Sequence, residues 1–204
     1  MTELRRWPGP WVVDAAQWLA HDLLGNSGAR WLHTRAVAAR ATSATGILPA
    51  EQAPTLVAAA WLHDIGYAAP VVDTGFHPLD GARHVHRRGW DPVIAGLVAH
   101  HSGARFVAAV LGLADQLADF ADPVYHRGPL ASALTWADQT TGPHGEAVDL
   151  ETRMQDMLRR HGPDSPNARA HADRAPVLTE AVTATRRALL SRRLADACSL
   201  PPPG

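Results

Sequence analysis

The chain has 204 residues, 46% of them apolar, a formal net charge of -1 and twelve histidines. That length suits one domain with a sizeable core, and so balanced a charge gives no reason to expect a nucleic-acid polymer or a membrane as partner. A single cysteine, Cys198, excludes a disulfide framework and a thiolate metal site within the chain. No apolar run is read as approaching the roughly 20 residues of a membrane helix, and no signal-peptide h-region is read at the N-terminus, so a cytoplasmic setting is expected.

Residues 1–10, with Pro8 and Pro10 around Gly9, read as a lead-in. The spacing of Val12, Ala16, Leu19 and Leu23 predicts a first helix over 11–24, stopped by the Gly-Asn-Ser-Gly run at 25–28. A second helix over 29–42 places His33 on one face with Ala29, Ala36, Val37 and Ala41, and that small apolar face should point inward. A third, over 51–64, carries Leu56, Ala59, Ala60 and His63 on one side and ends at Gly66, so that His63 and Asp64 fall on its last turn.

Pro70 and Gly75 predict a loop that carries His77 over this pair, followed by a helix over 78–88 with Pro78 at its first position. The next helix starts near Asp91 as N-cap and runs to His100 and His101. Successive helical residues point about 100° apart, so these two histidines are expected to approach one region from two directions. Another helix is predicted over 105–120. Leu130, Leu134 and Asp138 then follow i, i+4, i+8 on one stripe. A carboxylate that continues a leucine stripe needs a partner or a cation, since burying it bare is costly. Helices over 147–161 and 168–197 and a proline-rich, disordered tail complete the chain. No alternating strand pattern occurs, so the fold class is all-α.

Histidine and aspartate together suit first-row ions such as Fe, Mn, Zn, Co or Ni, whereas magnesium prefers an all-oxygen shell. The order of the motifs is His33, then His63-Asp64 in HDIG, then His77 in HPLDG, then His100-His101, then Asp138. It resembles the HD-domain superfamily of metal-dependent phosphohydrolases, with additional histidines like those of its binuclear members. The resemblance spans residues 29–142 and implies an HD-domain helical bundle as the core. Residues 1–28 then contribute a helix of the same domain, and 143–204 a helical extension packed on the core. It also implies one or two divalent transition-metal ions. His33, His63, Asp64 and Asp138 match the ligands shared across the superfamily, and Asp64 can bridge to a second ion held by His77, His100 and His101. A metal-activated hydroxide would then hydrolyse a small phosphate ester, of the nucleotide or dinucleoside polyphosphate class.

Some assignments stay open at this level. His84 or His86 could replace His77, and only one of His100 and His101 need coordinate. Many HD phosphohydrolases have a phosphate-contacting lysine after HDIG, where this chain has Tyr67. Arg105 is the first candidate to bind phosphate in its place, with Arg30, Arg35 and Arg83 as weaker ones. The GYP motif of cyclic-dinucleotide phosphodiesterases is missing, which argues against that substrate. Two other functions share the same ligand types. One is a mixed-valent di-iron oxygenase, as in myo-inositol oxygenase and organophosphonate-cleaving members of the fold. The other is a non-catalytic metal-binding regulatory module. The C-terminal helix is expected either to cover the site or to pair with a second subunit in a homodimer.

Overall fold

The chain turns where glycine, proline and capping acids interrupt its apolar periodicity. The structure, a computed structural model, describes residues 11–198, so the lead-in before Trp11 and the proline-rich tail lie outside the described residues. The α-helices are α1 (Val12–Leu24), α2 (Ala29–Ala44), α3 (Ala53–Leu62), α4 (His77–Arg87), α5 (Pro92–His100), α6 (Ala104–Leu111), α7 (Gly128–Gln139), α8 (Leu150–His161), α9 (Pro166–Arg169) and α10 (His171–Cys198). Among the described residues there is no strand, only an isolated bridge between Thr141 and Ala147. The all-α class is therefore what the molecule has.

Two helices form the interior. In α3 the run from Leu56 to Ala60 and Leu62 is buried, and in α5 every residue from Ile94 to His100 is. A helix apolar on all sides must be surrounded, and α1, α2, α5 and α7 pack around α3. Leu56, Leu62 and Leu97 have no exposed surface; each contributes about 1.5–3 kcal/mol on burial. Alanines 58, 59 and 60 keep the neighbouring helices close. One continuous buried cluster runs from Val12 in α1 to Val182 in α10. The C-terminal helix lies along α7, burying Leu178, Ala181, Val182 and Thr185.

Several predicted boundaries move for local reasons. The helix expected over 105–120 ends at Leu111, where Gly112 adopts φ 71°, and the chain resumes as a 3-10 turn over Asp115–Phe120. The one expected over 51–64 opens with a 3-10 turn, Ala50–Gln52, before α3. The one expected over 147–161 starts at Leu150, capped by the Asp149 carboxylate, which accepts from Thr152 N–H. The stretch Pro92–Leu111 does have the length and hydropathy of a membrane span, contrary to the expectation from the sequence. Two-thirds of it is buried inside the bundle, and it is broken at Ser102 (φ 51°) and Gly103 (φ 69°).

Candidate metal centre

The site forms where α3 and α5 end. His63 occupies the C-cap of α3 and His101 the C-cap of α5. Carbonyls in the last turn of a helix lack intrahelical donors, and each of these histidines uses one three residues back. His63 Nδ1 lies 2.7 Å from the Ala60 carbonyl, and His101 Nδ1 2.7 Å from that of Val98. His33, on the inward face of α2, does the same across the fold, with Nδ1 3.0 Å from the Gly142 carbonyl.

A carbonyl can only accept, so all three rings donate through Nδ1, and in the neutral state each presents Nε2 as a bare lone pair. Those lone pairs converge on carboxylates, which are also acceptors. His33 Nε2 is 3.1 Å from Asp138 Oδ1 and 3.8 Å from Asp64 Oδ2. His63 Nε2 is 3.4 Å from Asp64 Oδ2 and is buried without a hydrogen-bond partner. His101 Nε2 is 3.3 Å from His77 Nε2, which in turn is 3.3 Å from Asp64 Oδ1. Acceptors packed this closely require protons or a cation between them. The donor atoms of His33, His63 and Asp64 all lie within 4.8 Å of one another, as do those of Asp64, His77 and His101. These groups could hold a metal ion, and an Nδ1–H engaged by backbone is the usual way a ligating imidazole is oriented.

The charges fit a cation as well. Burial opposes ionisation of Asp64, but His63 and Arg30 outweigh it and hold the carboxyl well below its ordinary range. Asp138 is likewise held low, against burial, by its contact with His33 and by the charges of His63 and Arg153. Ser102 Oγ and Gln139 Nε2 also donate to Asp138. Burial pushes His77 well down, and it lowers His101 to about 4 with help from His63, so both are neutral at pH 7 and could serve as ligands.

Around the cluster, Gly66 allows a close approach: a Cβ there would stand 2.0 Å from the His77 carbonyl oxygen. The loop before α4 is tied down by Asp80, 1% exposed, which accepts from the backbone N–H groups of Asp73, Thr74 and Gly75, each at 3.0 Å, and from Thr74 Oγ1. Tyr67 stacks on His77 with ring centroids 4.0 Å apart. Arg30 lies 4.1 Å over the Tyr67 ring and binds Asp64 at 2.5 Å. A cavity of about 360 Å³ opens over the cluster, lined on its outer side by residues of α8, α9 and α10.

Of the residues singled out in the sequence, His33, His63, Asp64, His77, His101, Asp138 and Tyr67 are brought together. His84 and His86 are not; His86 packs edge-on against Phe120. Two expectations need correction. His100 faces away from the cluster and donates Nε2–H to the Phe120 carbonyl at 2.6 Å, with its ring 5.0 Å from that of His126. The pair does not converge because His101 has already left the helix, at φ -53° and ψ 145°. Arg105 lines, with His100, a second, small cavity of about 30 Å³ and rests 4.7 Å over the Phe106 ring. The guanidinium that pairs with Asp64 is that of Arg30. Arg35 lies over Trp31, and Arg83 binds Gln116 and Asp73.

Sequence reasoning missed Ser102, Gln139, Arg153 and Arg174. For Arg153 a signal existed, since Arg153, Met154, Met157, Arg160 and His161 share a face of α8 whose two methionines a fully solvated helix would not need. Compared with protein-family models, curated proteins and solved structures, the chain finds no match.

Proposed function

We propose that this chain is a metal-dependent phosphohydrolase acting on a small phosphate ester. The observation that carries the reading is the set of Nδ1-anchored imidazoles whose Nε2 lone pairs face two ionised, buried aspartates beneath an open, arginine-lined cavity. His33, His63, Asp64 and Asp138 would hold one ion, and Asp64, His77 and His101 a second. Such an ion supplies Lewis-acid chemistry, lowering the pKa of a water and offsetting charge on the phosphate. The motif order that resembles the HD superfamily supports the same reading.

The chain's own residues fit the task. Arg30 reaches the cluster from a partly exposed position, where a guanidinium can share its donors between Asp64 and a phosphate oxygen. The Tyr67 phenol is pushed up to about 12 by burial and by Asp64, so it stays protonated and can donate to an anion. Asp80 fixes the loop that leads into His77, which keeps the ligand and its stacked tyrosine in place.

The test is metal content by elemental analysis on anaerobically purified protein, followed by phosphate release from phosphate esters with Mn, Co, Ni and Fe added. Two ions per chain with metal-dependent release supports the reading; bound metal without release from any ester counts against it. The stacking of Tyr67 on His77, where the superfamily's phosphate lysine is expected, favours a second reading, a di-iron oxygenase. A coupled mixed-valent iron EPR signal without phosphatase activity would select it. Tightly held metal with neither activity would select a regulatory module.

A further inference from the structure

The cavity over the cluster holds more positive charge than the cluster can use. Four arginines line it, Arg30, Arg153, Arg160 and Arg174, against Asp64 and Asp138. Arg30 is engaged by Asp64, and Arg160 donates Nε–H to Asp156 at 2.6 Å. The other two are not matched in this way. Arg153, with a side chain 13% exposed, reaches only to 3.8 Å from an Asp138 that already accepts from Ser102 and Gln139, and its Nε is buried without a partner. Arg174 donates Nε–H to the Ser102 carbonyl at 2.7 Å and Nη1–H to Asn167 Oδ1 at 3.2 Å, both neutral acceptors. Among the described residues no carboxylate lies within 4.0 Å of it. A guanidinium even partly withdrawn from water without a counter-charge is costly, and desolvation lowers the pKa of Arg174 accordingly. An anion supplied from solution would relieve both arginines.

Ser102 links this pair to the cluster, because its hydroxyl donates to Asp138 while its carbonyl holds Arg174. Beside the arginines the wall is apolar, formed by Val107, Leu111, Met154, Met157 and Leu178. Methionines adapt to the shape of a bound organic group.

We propose that Arg153 and Arg174 form a second anion subsite, so that the substrate is an organic diphosphate. Water adds to the terminal phosphorus at the Asp64 cluster as its bond to the bridging oxygen breaks, giving orthophosphate and an organic monophosphate, with the water's proton passing to the phosphate products. These arginines hold the inner phosphate, and the organic group lies on the methionine wall. This rests on the phosphohydrolase reading and adds to it that the helical extension after residue 142 selects the substrate.

The experiment is calorimetric titration of the full chain with inorganic pyrophosphate and with orthophosphate, in excess magnesium to occupy the probes' own chelating oxygens. Metal content is measured on the same samples. Two charge-assisted contacts predict that pyrophosphate binds at least about tenfold tighter than orthophosphate. Arg153→Met and Arg174→Met should each remove that preference while leaving orthophosphate affinity within about threefold. Should Arg174→Met fail to fold by circular dichroism, Arg174→Lys replaces it; the ammonium keeps the charge but loses the fork, and the preference should fall by more than half. Equal affinities in the wild type, or an unchanged preference in both folded variants, overturn the subsite. A wild type that binds no metal counts instead against the phosphohydrolase reading, and the pyrophosphate preference is then judged by itself.

Discussion

Removing the metal gives the most direct test of the acceptor cluster, and Asp64→Asn is the variant that isolates it. Asp64 belongs to both triads, so its loss should abolish both ion positions. An ion present at about 100 times its dissociation constant adds about 2.7 kcal/mol to folding stability. For a chain of this length that is a rise in melting temperature of roughly 5–10 °C over chelator-treated protein. Asp64→Asn should show no such rise. The metal-free variant should nevertheless melt within a few degrees of metal-free wild type, because the amide can donate an N–H to a neutral His63 Nε2 in place of the charged His63–Asp64 contact that is lost. Arg30 loses its partner, but it is partly exposed and water can solvate it. The assay is thermal denaturation of both proteins with chelator and with added Mn, Co, Zn, Ni or Fe. A wild type whose midpoint ignores every metal, or a variant that keeps the full shift, would refute the reasoning.

Other outcomes follow from the same geometry. His101→Ala should lower metal stoichiometry, whereas His100→Ala should leave it unchanged and cost stability of about 1 kcal/mol from the lost bond to Phe120, both read by elemental analysis and denaturant titration. In steady-state kinetics on a phosphate ester, Arg30→Ala should raise KM while Arg105→Ala leaves it within error, because only the first lines the cavity over the cluster. Asp80→Ala should release the loop before α4, seen as new proteolytic cleavage within 68–76, since four donors lose their acceptor. Metal-free protein should lose stability as pH falls from 6.5 towards 4. His77 and His101 are lowered chiefly by burial, so across that window the unfolded chain binds protons that the folded chain refuses. His63, raised by Asp64 against its burial, works in the opposite direction but is one group against several. A midpoint that rises on acidification would contradict these directions.

The sequence by itself determined the all-α class, most helix positions and the residue types of the cluster. These depend on local spacing: apolar residues recurring each turn, Gly25 and Gly103 at helix ends, and Asp138 continuing a leucine stripe. It could not decide which member of a pair faces the site. His100, at φ -113° and ψ 2°, ends α5, and His101, at φ -53° and ψ 145°, has left it; that change places His101 against Asp64 and His77 and His100 against Phe120. Nor could it choose among arginines. Arg30 meets Asp64 across 34 positions and Arg174 meets Ser102 across 72, contacts fixed by how α2 and α10 pack rather than by any local pattern. The same holds for His33, whose tautomer is set by a carbonyl 109 residues away. Helical periodicity tells a side chain which face it is on, but only the packed helices decide what stands opposite that face.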